Sequence, residues 1–239
     1  MNRRILRHLQ SVRPSQRIVA VIQARLGSSR FPRKSLALFR GRPIIEHVIE
    51  RVCRMPLVDE VVVAVPTKDA ELVDAVTRYG SRLINTDAGR RPVSVVCGPE
   101  KDVLMRYWLA CTAHKADVVI RITGDCPMWS PLAGEEVLRA FFGDPEEKQF
   151  WSNDTTQSGW PDGTDVEVFS MKLLTRAKKA RSLTDEDREH VTTWMKRTLH
   201  PDVGIVRRKI DALSSLKISV DTLDDLLALE AINADDLRF

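Results

Sequence analysis

The sequence predicts an α/β fold, a mostly parallel central sheet with helices on both faces. Three observations predict it. Short apolar runs alternate with amphipathic stretches from residue 18 to about residue 142. The runs are continuously apolar rather than alternating, as strands covered on both faces are. The chain has 239 residues, 43% of them hydrophobic, which suits one domain with a substantial core.

Ile18 to Ile22 is the first buried strand, and a polar loop follows it. From Pro43 to Arg54 the apolar positions 44, 45, 48, 49 and 52 form a helical stripe opened by proline. Val61 to Val65 is a strand, and Asp69 to Tyr79 a helix that Gly80 is placed to cap. Val93 to Cys97 is a short strand, and Val103 to Cys111 a helix with one apolar face. Val118 to Ile122 and Leu132 to Phe142 complete the regular strand–helix pattern. From about residue 149 the pattern loosens. Gln149 to Ser152 and Val166 to Phe169 read as strands around a polar loop. Thr184-x-x-Asp187 is a capping box for one helix carrying His190, Trp194 and Met195. Ile218 to Val220 reads as a buried strand, and Thr222-x-x-Asp225 opens the last helix. Residues 17–239 thus form one domain in which 149–216 is an insertion or lid-like subregion, preceded by a basic tail at 1–16 with Arg3, Arg4, Arg7 and Arg13.

Composition narrows the function. Net charge is +4, from 37 basic and 33 acidic residues that are well interspersed, too mild a balance for a nucleic-acid surface. No apolar run approaches the roughly 18 residues of a membrane helix, and no secretory h-region follows the tail. The four cysteines, Cys53, Cys97, Cys111 and Cys126, include no C-x-x-C pair. Reduced thiols in a cytoplasmic protein are expected, with Cys53 and Cys111 as core residues.

The loop after the first strand carries the chemistry. Arg25, Gly27, Ser28, Ser29, Arg30, Arg33 and Lys34 lie within ten residues. Glycine lets backbone approach an anion, serines add donors, and the cations reach phosphate oxygens. The loop suits a polyphosphate. It has neither P-loop nor G-x-G-x-x-G spacing, so an ATPase or dinucleotide reading gains nothing. Ligands of open α/β sheets bind beyond strand carboxyl ends. The loop, Asp125 and Asp221 each follow a predicted strand, which puts them along one edge.

The loop resembles the R-x-G-S-x-R-x-P-x-K signature of the cytidylyltransferase superfamily that makes CMP-activated sugar acids. Five further stretches resemble its spore-coat polysaccharide (SpsF-like) branch in order: Gly41 to Ile45, Lys101 to Tyr107, Arg121 to Pro127, Asp162 to Phe169 and Arg188 to Thr192, followed by a sixth at Ser219 to Leu226. The resemblance implies a Rossmann-like, nucleotide-diphospho-sugar transferase-like fold. It implies CTP as substrate, magnesium as cofactor and a sugar-acid or polyol acceptor. It assigns Ala24, Arg25, Gly27, Ser28, Ser29, Arg30 and Lys34 to the nucleotide phosphates, with Arg25, Arg30 and Lys34 catalytic. Asp125 and Asp221 become magnesium ligands; their alternative reading is turn and helix capping. Arg106 and Arg121 match arginines of the family blocks. Arg106 reads equally as a structural salt bridge. Arg121, a cation in an apolar strand, must be paired or functional. Asp102 reads as a helix N-cap or a ligand contact. Asp162, Asp165, Glu167, Arg188 and His190 fall on the acceptor side, with Asp165 and Glu167 on one face of their strand. His190 reads as a base, a hydroxyl-orienting group or a buried hydrogen-bonded histidine. Trp129, Trp151 and Trp160 read as pocket walls or, for Trp151, as core. Three departures stand out. Arg33 replaces a common glycine, Met128-Trp129 replaces a smaller apolar-plus-acid pair, and Gly-Trp-Pro before Asp162 is bulky.

The expected function is magnesium-dependent transfer of CMP from CTP to a sugar acid, with release of pyrophosphate, for surface polysaccharide or glycoconjugate synthesis. The alternatives are a nucleotide-sugar glycosyltransferase and a non-catalytic nucleotide-sensing partner in glycan assembly. Relatives that pair suggest a homodimer through 149–216.

Overall fold

Strand β1 (Ile18–Gln23) runs through the middle of a seven-stranded sheet. The computed structural model describes residues 16–83, 91–153, 156 and 158–232, so most of the predicted basic tail lies outside the described residues. β1 pairs in parallel with β4 (Glu60–Pro66) on one side and β6 (Val118–Thr123) on the other. β5 (Val93–Gly98) adds a parallel edge to β4. β8 (Glu167–Ser170) pairs antiparallel with β6, then β7 (Phe150–Ser152) and β9 (Gly204–Ile205) complete the order β5-β4-β1-β6-β8-β7-β9. A small hairpin of β2 (Leu38–Phe39) and β3 (Arg42–Pro43) stands apart.

The apolar strands are buried on both faces because side chains alternate between two helical layers. Ile18, Ala20 and Ile22 point into one cluster, with α1 (Ile44–Cys53), α2 (Ala70–Leu83), α4 (Pro131–Gly143) and α8 (Leu223–Ala231). Val19 and Val21 point into the other, with α3 (Val103–Ala113) and α5 (Met171–Lys179). Cys53 and Cys111 are buried and unbridged, and burial pushes the Cys53 thiol up to about 12. Among the described residues no helix is long and apolar enough to cross a membrane.

Four expectations need correction. Helix α2 does not stop at Gly80 but continues to Leu83. Gly80 is buried there because a Cβ would lie 3.2 Å from Val93 Cβ, so its role is helix-to-strand packing. The stretch after Thr184 is two helices, α6 (Asp185–His190) and α7 (Thr193–Leu199), broken at Val191 with φ 64°. Ile218 and Val220 are buried, but the segment joins no strand of the sheet. Its amides bond sideways, Ile218 N–H to Asp162 O at 2.7 Å and Val220 N–H to Asp125 O at 2.9 Å. Asp165 does not share the strand with Glu167, because β8 begins at Glu167.

Candidate active site

The carboxyl ends of β1 and β6 open onto one cleft, and hydrogen bonds fix its floor. Gly124 N–H bonds to Gln23 O at 2.8 Å, and a Cβ on Gly124 would sit 2.7 Å from that same oxygen, so glycine is what lets the two exits close together. The loop is pinned at three points. Leu26 N–H donates to Asp69 at 2.8 Å, Ser35 Oγ donates to Arg25 O at 3.1 Å, and Arg33 N–H donates to Leu26 O at 2.9 Å. Arg33 takes the left-handed conformation with φ 63°. That strained geometry accounts for the glycine common at this position in the resembled pattern. Its guanidinium reaches Glu71 at 2.5 Å, away from the cleft. A one-turn 3₁₀ segment, Lys34–Leu36, then aims Lys34 inward.

Lys34 Nζ lies 2.7 Å from Asp125 Oδ2, 2.9 Å from the Val220 carbonyl and 3.4 Å from Asp221 Oδ1. Arg30 reaches Asp221 at 2.9 Å, and Arg25 reaches Glu189 at 3.5 Å. Asp221 is placed by the sideways bonding of 218–220 and by its own N–H, which donates to Asp225 in the α8 capping box. Burial opposes ionisation of Asp221, but Lys34, Lys217 and Arg30 outweigh it and hold the carboxyl below its ordinary range. Ala24, Arg25, Ser28, Ser29, Arg30, Lys34, Asp125 and Asp221 all line this cleft. Gly27 does not; it is exposed beside Glu100, whose Oε1 lies 3.0 Å from where a Cβ would be. The amides of Ala24 and Ser28 are spent on Ala64 O and Leu26 O. The loop's side-chain cations Arg25, Arg30 and Lys34 all line the site.

A cytidylyltransferase family model matches residues 19–222. The chain belongs to the cytidylyltransferase family. It is 33% identical over 129 residues to the 3-deoxy-manno-octulosonate cytidylyltransferase of Desulfatibacillum aliphaticivorans, covering 54% of this chain and 49% of that protein. Against the 8-amino-3,8-dideoxy-manno-octulosonate cytidylyltransferase of Shewanella loihica it is 33% identical over 132 residues, 54% and 49% of the two chains. These matches span about half the length of the curated relatives. Among solved structures, a cytidylyltransferase from Leptospira borgpetersenii superposes with TM-score 0.78 at 23% identity, covering 93% of this chain and 92% of that one. A CMP:2-keto-3-deoxy-manno-octonic acid synthetase complexed with CTP gives TM-score 0.67 at 20% identity, covering 92% and 100%. Both likenesses establish the nucleotide-diphospho-sugar transferase-like fold.

A second cavity adjoins the cleft of this family member, and His190 lines both. Arg121 belongs to this second cavity rather than to the first cleft. The β6–β8 register sets Arg121 opposite Glu167, and their side chains meet at 2.8 Å. Glu167 also takes Lys196 Nζ at 2.5 Å and the Thr192 hydroxyl at 2.9 Å. Burial works against the Glu167 charge, yet Arg121 and Lys196 hold its carboxyl below the usual range. Burial also opposes the Arg121 charge, and Glu167 overcomes it to raise that pKa.

The other expected site residues scatter. Arg106 is buried on the cleft wall, its NH1 donating to Pro99 O at 2.6 Å and Glu100 O at 2.7 Å. It braces that loop through carbonyls rather than through a salt bridge. Asp102 caps α3 by accepting from Met105 N–H at 2.8 Å, and its other oxygen pairs with Arg188 at 3.0 Å. The N-cap reading is thus the one seen, and Arg188 ties α6 to α3. Asp165 accepts from Gly163 N–H at 3.0 Å and closes a turn. Gly163 has φ 95°, and a Cβ there would lie 2.6 Å from Ser219 N, so this turn packs directly on the segment leading to Asp221. Asp162 sits there with Ser219 Oγ at 3.4 Å; burial and the neighbouring Asp165 charge raise its pKa. Trp129 and Trp160 pack in the core instead of walling the cleft, with Trp129 Nε1 donating to Asp165 O at 3.2 Å.

Sequence reasoning missed Lys196, Thr192 and Lys217. Glu189, expected with Arg188 and His190 on the acceptor side, instead lines the first cleft opposite Arg25. Lys196 and Thr192 lie across the Val191 break, so no helical spacing links them to His190. Lys217 pairs with Asp221 at 3.4 Å and Asp225 at 2.8 Å from an extended segment without periodicity.

Proposed function

We propose that this protein transfers CMP from CTP to a sugar acid or related acceptor with release of pyrophosphate. One observation carries the reading: three cations of a single loop, Arg25, Arg30 and Lys34, face Asp125 and Asp221 across one cleft at the strand carboxyl ends. The names of the curated relatives support a 3-deoxyoctulosonate-type acceptor. The later sequence blocks favour the spore-coat polysaccharide branch.

The donor set fits a divalent cation of the magnesium type. Two carboxylates and the Val220 carbonyl already converge on one positive centre, the Lys34 ammonium. Among the described residues no group of three or more histidine, cysteine or acidic side chains forms a metal cage. Magnesium commonly takes one or two carboxylates and completes its shell with phosphate and water. Asp125 and Asp221 would hold it, and when bound it would offset the charge of the triphosphate.

In the reaction, the acceptor oxygen attacks the α-phosphorus of CTP, the bond to the bridging oxygen of the β-phosphate breaks, and pyrophosphate departs. Arg25, Arg30 and Lys34 bind the phosphates and neutralise charge as it moves onto the leaving pyrophosphate. His190, lining both cavities, stands where nucleotide and acceptor meet. It orients the acceptor hydroxyl or takes its proton. The cavity of Glu167, Thr192 and Lys196 receives the acceptor, since mixed charges and hydroxyls match a polyhydroxylated acid. The deciding experiment mixes the protein with labelled CTP, magnesium and a panel of sugar acids and follows pyrophosphate. Thermal shifts with CTP, UTP, ATP and GTP accompany it. Turnover with CTP and at least one acid supports the reading; stabilisation by UTP without turnover of any acid overturns it.

A further inference from the structure

Every cation that the loop turns into the cleft is already matched by a carboxylate. Arg25 faces Glu189, Arg30 faces Asp221, and Lys34 sits between Asp125 and Asp221. Three loop cations thus meet three carboxylates, and among the described residues only Arg106 on the cleft wall, bonded to carbonyls, adds a positive charge that no carboxylate of the cleft matches before any ligand arrives. A bare triphosphate entering it would meet Glu189, Asp125 and Asp221 as well as the arginines. A divalent cation entering alone would meet Lys34 at the point where the carboxylate oxygens converge.

Lys34 differs from its neighbours in how firmly it is held. Its side chain is 13% exposed, against 67% for Arg30 and 41% for Arg25. It is bonded to three oxygens from two separate segments, Asp125 after β6 and Val220–Asp221 before α8. We propose that Lys34 is a resident surrogate for the divalent ion. It keeps the two aspartates together in the free protein and keeps a metal ion out until nucleotide comes with it. Incoming metal takes the carboxylates only if Lys34 gains another anion to face, and the phosphates supply that anion. Metal and nucleotide binding are thereby coupled through one side chain, each raising the affinity of the other by the same factor. The inference rests on the metal-assisted reading of the cleft given above.

The test uses Mn²⁺ alone as probe, read by the free-ion electron paramagnetic resonance signal, with no turnover required. The wild-type protein without nucleotide should bind Mn²⁺ weakly. Lys34→Met removes the competing charge, and Lys34→Gln removes it while keeping a donor for Val220 O. A neighbouring cation shifts a carboxylate's equilibrium by about one to three powers of ten, so both variants should bind Mn²⁺ at least about tenfold more tightly. Adding Asp221→Asn to Lys34→Met should reverse the gain. Calorimetry of CTP on the wild type should show about tenfold or greater weakening when EDTA replaces magnesium. Melting curves with and without Mn²⁺ establish that each variant is folded. Equal Mn²⁺ affinity in wild type and both lysine variants overturns the surrogate role and leaves the metal-assisted cleft standing. Failure of the wild type to take up Mn²⁺ even with CTP overturns that reading, and the surrogate role with it.

Discussion

Two cation–carboxylate clusters sit on either side of His190, built from the same groups and buried to different depths. In the first cleft, Arg30 is 67% exposed and its partner Asp221 25%. In the neighbouring cavity, Arg121 is 15% exposed and Glu167 only 8%. An exposed pair is cheap to exchange, because water and a phosphate can replace the partner with little loss. A buried pair is not, because breaking it strands a charge in a medium that solvates it poorly. The first arrangement suits a site whose cations change partners during a reaction. The second suits a fixed wall. Burial rather than residue type separates the exchangeable arginine pair from the fixed one here.

The largest effect that tests this contrast is on turnover. Arg30→Ala should lower kcat by about a hundredfold or more with an unchanged melting temperature. Lys34→Ala should lose as much activity and also some stability, since it leaves two half-buried carboxylates facing each other. Steady-state rates and melting curves of both check it, and near-normal rates in both would remove the loop from the mechanism. The aspartates extend the same contrast. Asp125→Asn and Asp221→Asn should each abolish most activity, and the double variant should be little worse than the worse single, as for groups that act as a unit. Extra magnesium should partly rescue the singles. Multiplicative losses without any change in magnesium dependence would mean the two do not serve one ion.

The buried pair should show the reverse signature, a stability loss before any kinetic one. Glu167→Gln leaves Arg121 without its counter-charge and should cost about 3 kcal/mol in denaturant unfolding. The pH dependence has a definite sign. The folded pKa of Glu167 is depressed, so its contribution is fully present above the unfolded value of about 4.3. It is lost as pH falls through the lower folded value. Unfolding midpoints from pH 7 to pH 3 should therefore fall less steeply in Glu167→Gln than in the wild type. Equal slopes would show that Glu167 is not the stabilising partner.

The smallest effect is expected at Arg33, whose left-handed backbone lies at the edge of the cleft. Its ion pair with Glu71 is exposed on both sides, 58% and 53%, and is worth little. Relief of the backbone strain should win, so Arg33→Gly should melt about 2 °C higher with activity retained. A lower melting temperature would mean that the Glu71 contact outweighs the strain.

Much of this was legible in the chain itself. Apolar runs of five residues and helical stripes are local signals, and β1, β4, β5, β6 and the helices between them lie where those signals put them, apart from the end of α2, which runs on to Leu83. The capping boxes at Thr184 and Thr222 form as the residue types dictate. The loop's load of arginine, serine and lysine singled out a segment that lines the cleft, because that chemistry is concentrated in one short stretch. What tertiary structure alone decided are the pairings between distant segments. Lys34 meets Asp125 and Asp221 from 91 and 187 residues away. Arg121 meets Glu167 rather than the cleft because the cross-strand register sets that residue opposite it. Val191 breaks a stretch whose apolar spacing looked like one helix, and so brings Thr192 and Lys196 onto Glu167. Periodicity reports which face of an element is buried. It carries no information about what lies across the gap, and a site made of charges from several segments is defined by that gap.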